Sequence, residues 1–582
     1  MPEHASNATD AEANIVQRWG GRVPIVIGAI GHRNIRPADG KLAAAIRNEC
    51  RKLKKQYSSS PFIVLSALAE GADRLIARTA MEELQADLIA VLPMPAADYE
   101  RDFQTEDSKT EFRAYLKLAA CMRVAPAEGD AWKIDGEPRN EQYARAGSII
   151  VEHAQVLFAI WDGQKVRGTG GTADQVRWFE RGYAPNRYSL YKDALSPLSP
   201  LEPGLCIVID PANARASLGE TRQPQAGKSD MRQILKRTDR YNQDAARNRD
   251  VNVPSTSIVE DVREPAPAAK QAQEAVKALS IADGVYRAAN YTSMSFANKV
   301  RGSDAIVYSL ALIAVAAFNL VSNNRLAPWL YLGVTLVMLI LTGRIRLFSV
   351  DNRFLEYRCL AEAMRTLFFW RCAGIARPVW LAYLSRQAGA VHWIRHAVRT
   401  VEFCQDCRLL QLKADGLAGL PGVPFVKTAW VEAQGKWFLK KELEHARSVK
   451  IWKWIERGAI VASFIVAIAL ALLTVLPGGG VHWWDSYVEP KGYGDLWQIG
   501  LGLFVAGGLA ARGFLSRRAH LELAKQYASQ RQIFETANRM LDDQKSDWKP
   551  EEILERLGDE ALQEQSEWVW LRHTKPFEVP MP

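Results

Sequence analysis

Cysteine is scarce in this chain: seven residues among 582, an odd number, scattered at Cys50, Cys121, Cys206, Cys359, Cys372, Cys404 and Cys407. That scarcity excludes a disulfide scaffold and fits a reducing compartment. The one close pair, Cys404 and Cys407, is a CxxC without the second pair that a structural zinc site needs. His392 and His396 have i, i+4 spacing but lack the glutamate of HExxH, so they read as a helix face, and no metal is expected. An arginine and lysine stripe interleaved with aromatics is missing too, as is any zinc-finger spacing. The formal charge of +9 therefore does not make nucleic acid an expected partner. The opening MPEHASNATDAEANIVQRWGG has no apolar stretch of the secretory kind, which predicts that the N-terminal half stays in the cytoplasm.

What is present is unevenly distributed. Apolar residues make up 48% and charged residues 24%, which excludes a wholly disordered or collagenous chain. Up to about residue 300 the text reads as a water-soluble domain, and beyond it lie four dense apolar runs. In the first part, continuous apolar segments at 23–30, 62–67, 87–92, 156–161 and 205–209 alternate with helical patterns at 37–55, 70–84 and 172–181. Continuous rather than alternating strands, each followed by a helix, predict a parallel sheet covered on both faces, a doubly wound Rossmann-like domain over 20–212. Residues 213–275 are rich in Arg, Asp, Gln, Ser and Pro and read as a polar linker, with room for a short helix near 231–241.

The apolar runs cover about 305–321, 328–341, 459–476 and 496–511. Their lengths approach the roughly 17 to 25 residues that cross a hydrocarbon core, so they predict two transmembrane hairpins within 276–343 and 457–515. Lys299 and Arg301, Arg344 and Arg346, Lys450, Lys453 and Arg457, and Arg512, Arg517 and Arg518 flank them, whereas the hairpin loops carry only Arg325 and Lys491. By the positive-inside rule both termini are cytoplasmic. No charge falls within the run cores, so no voltage sensor or proton relay is indicated. Segments 344–456 and 516–582 have helical periodicity and are read as long cytoplasmic helices.

Doubly wound sheets bind ligands beyond the carboxyl ends of their strands, where helix N-termini attract phosphate. Three segments fall there: Gly28-Ala29-Ile30-Gly31-His32-Arg33, Ser66 to Arg74, and Trp161-Asp162-Gly163 followed by Gly168-Thr169-Gly170-Gly171-Thr172. Asp73 and Arg74 also read as an ion pair at a helix start.

Taken in order, GHR after a strand, LSALAEGADRL, LPMPAADYERDF and WDGxxxxGTGGTADxV resemble the SLOG superfamily, Rossmann-like domains related to LOG phosphoribohydrolases and DprA proteins. The resemblance spans about residues 23–210. It implies a nucleotide or nucleotide-derived ligand rather than a resident cofactor. Together with the loop positions, it nominates Gly31, His32, Arg33, Ser66, Glu70, Gly71, Asp162, Gly168, Gly170, Gly171 and Thr172 as ligand-binding residues. LOG enzymes carry PGGxGTxxE, and aligning Gly171-Thr172 with its GT puts Gln175 where the glutamate stands. An amide cannot do a carboxylate's acid/base work, so no catalytic residue is assigned and hydrolysis is disfavoured. Glu70, Asp73, Asp162 and Asp174 are the remaining carboxylates near these loops.

The second half, with EYRCLAEAMRTLFFWRCAGI, HWIRHAVRT and SEWVWLRHTKPFEVP, resembles SLATT-type membrane modules that accompany nucleotide-sensing domains in bacterial conflict systems. The combined expectation is a homo-oligomeric receptor-effector in the bacterial inner membrane. It would read a nucleotide second messenger and permeabilise or depolarise the lipid bilayer, with defence against phage as one setting. An anchored nucleotide hydrolase and a homeostatic ligand-gated channel are the alternatives.

Overall fold

The structure, a computed structural model, describes residues 15–35, 40–127, 129–164, 169–192, 204–220, 230–248, 257–258, 266–319, 326–347, 350–383, 391–417, 419–475, 493–543 and 545–574. The chain divides into two compact units. One comprises residues 1–292, 356–426 and 549–570, and the other 293–355, 427–548 and 571–582.

The first unit is built on a sheet of seven strands: β1 (Ile25–Gly31), β2 (Phe62–Ser66), β3 (Asp87–Leu92), β4 (Cys121–Val124), β5 (Val156–Ile160), β6 (Leu205–Ile209) and β7 (Ala216–Glu220). Their order is β4-β3-β2-β1-β5-β6-β7. All neighbours are parallel except β6 and β7. β2, β3 and β5 are buried along their whole length and β1 all but its last residue, which is why their sequences are continuous apolar runs. The order reverses at β1, so the sheet winds outward in two directions from the β1/β5 pair, the Rossmann-like arrangement. Edge strand β4, whose side chains alternate in exposure, and the short antiparallel β7 carry no such run and were not among the expected strands.

The stretch read as a polar linker contains more structure than its composition implied. Besides β7, it forms the helices Met231–Asn248 and Ala266–Ala278. The first is a core element: Tyr241 and Asn242 are fully buried. Asn242 accepts from the Val23 amide at 2.7 Å and donates to the Val23 carbonyl at 2.8 Å. Asp239 accepts from the Ser59 amide at 2.9 Å and the Ser60 hydroxyl at 2.8 Å. Asn242 and Asp239 therefore satisfy backbone groups at the entries to β1 and β2 instead of facing water.

The expected division between sheet domain and cytoplasmic helices also shifts. Residues 356–426 and 549–570 belong to the first unit. Tyr241 stacks edge-on against Tyr357 at 5.2 Å and lies 5.7 Å from Trp393, whose indole donates to Glu356 at 2.7 Å. Trp370 donates to the Leu554 carbonyl at 3.2 Å, and Arg377 pairs with Glu555 and Asp559. Arg371 is buried against Glu402 and Asp406, at 2.6 Å from each, so that a buried cation has two carboxylates to offset its desolvation.

The second unit is helical. The helix Ser280–Asn319 contains a stretch long and apolar enough to cross a membrane, and among the described residues it is the one helix that does. Ala327–Gly343 is a shorter apolar helical stretch. The third and fourth apolar runs lie on Ala433–Val475 and Tyr493–Arg518, with part of the third run, and all of the loop after it, outside the described residues. Ala433–Val475 packs against Tyr493–Arg518 and His520–Asp542. Large apolar side chains on these helices face outward, among them Phe318, Trp329, Leu336, Ile340, Phe464, Ile465 and Leu509, each more than half exposed.

Candidate functional site

The β1/β5 reversal places the loops after these two strands beside each other. β1 ends at Gly31, paired with Ile160 at the end of β5, and the His32 amide donates to the Ile160 carbonyl at 3.2 Å. Across the crevice the His32 Nε2 lies 3.2 Å from the Asp162 carboxylate and accepts from the Asp162 amide at 3.3 Å. These two residues clamp the loops together. Asp162 also accepts from the Gln164 amide at 3.0 Å, which turns the second loop.

Arg33 is exposed at the mouth of this crevice, its guanidinium 5.1 Å from the centre of the Tyr143 ring. Tyr143 in turn donates to Asp102, and Arg139 donates to the other oxygen of Asp102 at 2.6 Å. Tyr143, held from behind by Asp102, thus fixes the Arg33 guanidinium at the loop after β1. On the β5 side, the helix Thr172–Arg181 begins at the exposed Gly171, with no side chain capping it. Its N-terminus carries the positive end of the helix dipole. Asp174 accepts from the Gly170 amide at 3.1 Å and so takes part in this turn.

The loop after β2 supports the first from the side. Ser66 is fully buried, and its hydroxyl accepts from the Leu68 amide at 3.0 Å. Leu68 adopts φ 57°, an uncommon backbone for a branched side chain, held by burial and by Arg74 Nε donating to its carbonyl at 3.0 Å. Arg74 does not depend on Asp73 as its partner: its other hydrogen bonds reach Ser108 at 3.0 Å and Glu111 at 2.8 Å. Glu70 accepts from the same Ser108 hydroxyl. Asp73 lies buried beneath the loops, near Arg33 and within reach of the Gly31 and Ala69 amides. Burial pushes its carboxyl up to about 7 even though Arg33 and these amides pull the other way.

The nominated residues therefore separate by role. His32 and Asp162 join the two loops, Arg33 follows His32 on the first, and Gly171 and Thr172 open the helix that follows the second. Ser66, Glu70 and Gly71 hold the adjacent loop in place. Gly71 sits at φ 84° with its α-carbon against the Arg33 carbonyl, where a side chain has no room. Gly31 and Gly170 likewise serve close packing, against Ala72 and Ala144. Gly168 lies outside the described residues. Gln175 faces Gly147 of the helix Glu137–His153 and donates to the Gly170 carbonyl at 2.8 Å, so it points into the protein and not into the crevice.

Asp102, Arg139, Tyr143 and Tyr99, whose ring meets Tyr143 edge-on at 6.0 Å, shape the Arg33 side and were not singled out from sequence. The segment LPMPAADYERDF contained two of them, but the elements carrying the four are far apart in the chain and only packing unites them. A cavity of about 40 Å³ lies at the other end of the sheet, beside Gln155, Gly204 and Arg399, with room for a few waters and not for a nucleotide. Among the described residues no group of three or more His, Cys, Asp or Glu side chains is placed to hold a metal ion. The chain matches no protein-family model, no curated protein and no solved structure.

Proposed function

We propose that this protein is a membrane-bound receptor-effector. In this reading it binds a nucleotide-derived anion in the β1/β5 crevice and acts on the bilayer through four transmembrane helices. The observation that carries the ligand half is that, at the sheet's reversal point, Arg33 lies over Tyr143 while the next residue, Ala144, packs on Gly170 at the turn opening helix Thr172–Arg181, which no side chain caps. A phosphate there would gain a guanidinium partner on one side and backbone amides with a helix dipole on the other. The membrane half is supported by the outward-facing apolar side chains of the second unit and by the basic residues at the ends of each apolar run. Both termini would then lie on the cytoplasmic side of a bacterial inner membrane.

A ligand can drive such an effector only by binding resting and active assemblies with different affinity. Boundaries between the two units fall inside the helices Ser280–Asn319, Val350–Cys372 and Pro550–Thr574. These continuous helices are the route by which closure of the crevice would reach the membrane as pore formation or depolarisation in a homo-oligomer. The anchored phosphoribohydrolase is the weaker reading, because Gln175 is an amide and faces inward.

The test uses the full chain in detergent, since residues beyond 215 complete the first unit's core. Cyclic oligonucleotides, NAD, ADP-ribose and nucleoside monophosphates are added while melting temperature and free-base release are followed. A shift of several degrees without base release, lost in Arg33→Ala and Gly171→Trp, is the expected outcome. Gly171 has an extended backbone and is exposed, so the tryptophan blocks the crevice without straining the turn. Base release would replace the receptor with an enzyme. No shift with any of these ligands would remove the nucleotide reading.

A further inference from the structure

We infer that Arg301, Arg517, Arg518 and Tyr308 form a site for the phosphate of an anionic lipid headgroup; this rests on the membrane reading above. The first apolar run begins just after Asp304, and the fourth ends shortly before Arg517 and Arg518. Arg517 Nε donates to Asp304 at 2.5 Å, while Arg518 Nε stands 3.9 Å from the other carboxylate oxygen. Arg518 also donates to the Arg301 carbonyl at 3.3 Å, and the charge of the exposed Arg301 acts on it. Two cations therefore share one carboxylate with the charge of Arg301 close by, leaving a local positive excess.

Two donors in this cluster are buried without an acceptor: Arg518 Nε and the Tyr308 hydroxyl. A buried, unsatisfied donor on a guanidinium is costly, and an anion is the group that would satisfy it. Phe514 forms the floor, 5.0 Å below the Arg518 guanidinium and 5.6 Å from the Tyr308 ring, and fixes where the donors point. Burial, together with the like charges of Arg301 and Arg517, lowers the proton affinity of Arg518. That crowding is relieved by a bound negative charge.

A phosphate could come from a lipid or from solution, but the surroundings favour the lipid. Ile306, Ile313 and Phe318 on one helix and Val505 and Leu509 on the other present exposed apolar surface that continues away from the cluster. Acyl chains would lie along that surface while the headgroup reaches the arginines, the placement in which basic pockets beside membrane helices bind acidic lipids.

The test compares the full-length protein in phosphatidylcholine vesicles, alone or mixed with phosphatidylglycerol, by flotation and by thermal melting. Wild type is expected to float with both and to melt several degrees higher with phosphatidylglycerol. The Arg301→Gln/Arg518→Gln double variant should float equally and lose that increment. Tyr308→Phe, which removes one hydroxyl and keeps the ring, should reduce the increment and covers the case of a double variant that fails to fold. Inorganic phosphate and glycerol 1-phosphate added to phosphatidylcholine vesicles should give no increment. A full increment in the folded double variant, or in Tyr308→Phe should the double variant not fold, would overturn the site. An equal increment from the soluble phosphates would overturn its assignment to lipid. Failure of wild type to float with either vesicle would defeat the membrane reading itself, and this inference with it.

Discussion

Asp73 lies buried beneath the crevice loops, and burial holds its carboxyl near 7 against an ordinary value of 3.8. Because the folded value is the higher one, the native state keeps a proton between pH 4 and 7 that the unfolded chain has already released. Asp73 therefore makes stability fall as pH rises across that window, by on the order of 4 kcal/mol in total. In Asp73→Asn this slope is expected to vanish, so the unfolding midpoint of wild type relative to the variant should drop between pH 4 and 7 and level off above it. A difference that stays constant with pH would show that Asp73 is ionised throughout. At this scale the sequence left the roles of the nominated residues open. Arg33 and Asp162 could be nominated because loops at strand ends are where ligands bind. Ser66 and Gly71 came from the same motif text but act as struts. Whether a hydroxyl faces a ligand or a neighbouring amide depends on three-dimensional packing, which a local motif does not encode.

Among the elements, the helix Met231–Asn248 departs most from its composition. Its text, MRQILKRTDRYNQDAARN, is polar enough to read as solvated, yet Thr238, Tyr241 and Asn242 are buried. Asn242 alone answers both the amide and the carbonyl of Val23 at the entry to β1. Asn242→Ala should leave two buried backbone groups unsatisfied and cost about 2 to 4 kcal/mol, read as a lower denaturant midpoint with an unchanged slope. A loss under about 0.5 kcal/mol would mean that this helix is not docked there. Strands β1, β2, β3, β5 and β6 were legible because a strand covered on both faces must be apolar throughout. β4 and β7 were not, since an edge strand needs neither a continuous run nor strict alternation.

For the whole molecule, the first unit is completed by a helix from the far end of the chain. Gly558 lies flush against the Trp370 ring, with no space for a β-carbon. Gly558→Val should therefore destabilise the first unit by about 1 to 3 kcal/mol in a melting experiment, while Arg556→Ala on the exposed side of the same helix should stay within about 0.5 kcal/mol. Equal, small effects would detach Pro550–Thr574 from that core. The sequence by itself determined the mainly parallel Rossmann-like sheet and the helical second half. These follow from periodicity and from the rule that buried strands and helix starts have fixed chemical demands within a few residues. Only the tertiary structure decided that the helix Met231–Asn248 is part of the core, that residues 356–426 and 549–570 belong with the sheet, and which of the loop residues act as struts. Several of those outcomes depend on partners tens to more than two hundred residues away, and a polar or small side chain reads the same in sequence whether water or a distant backbone satisfies it.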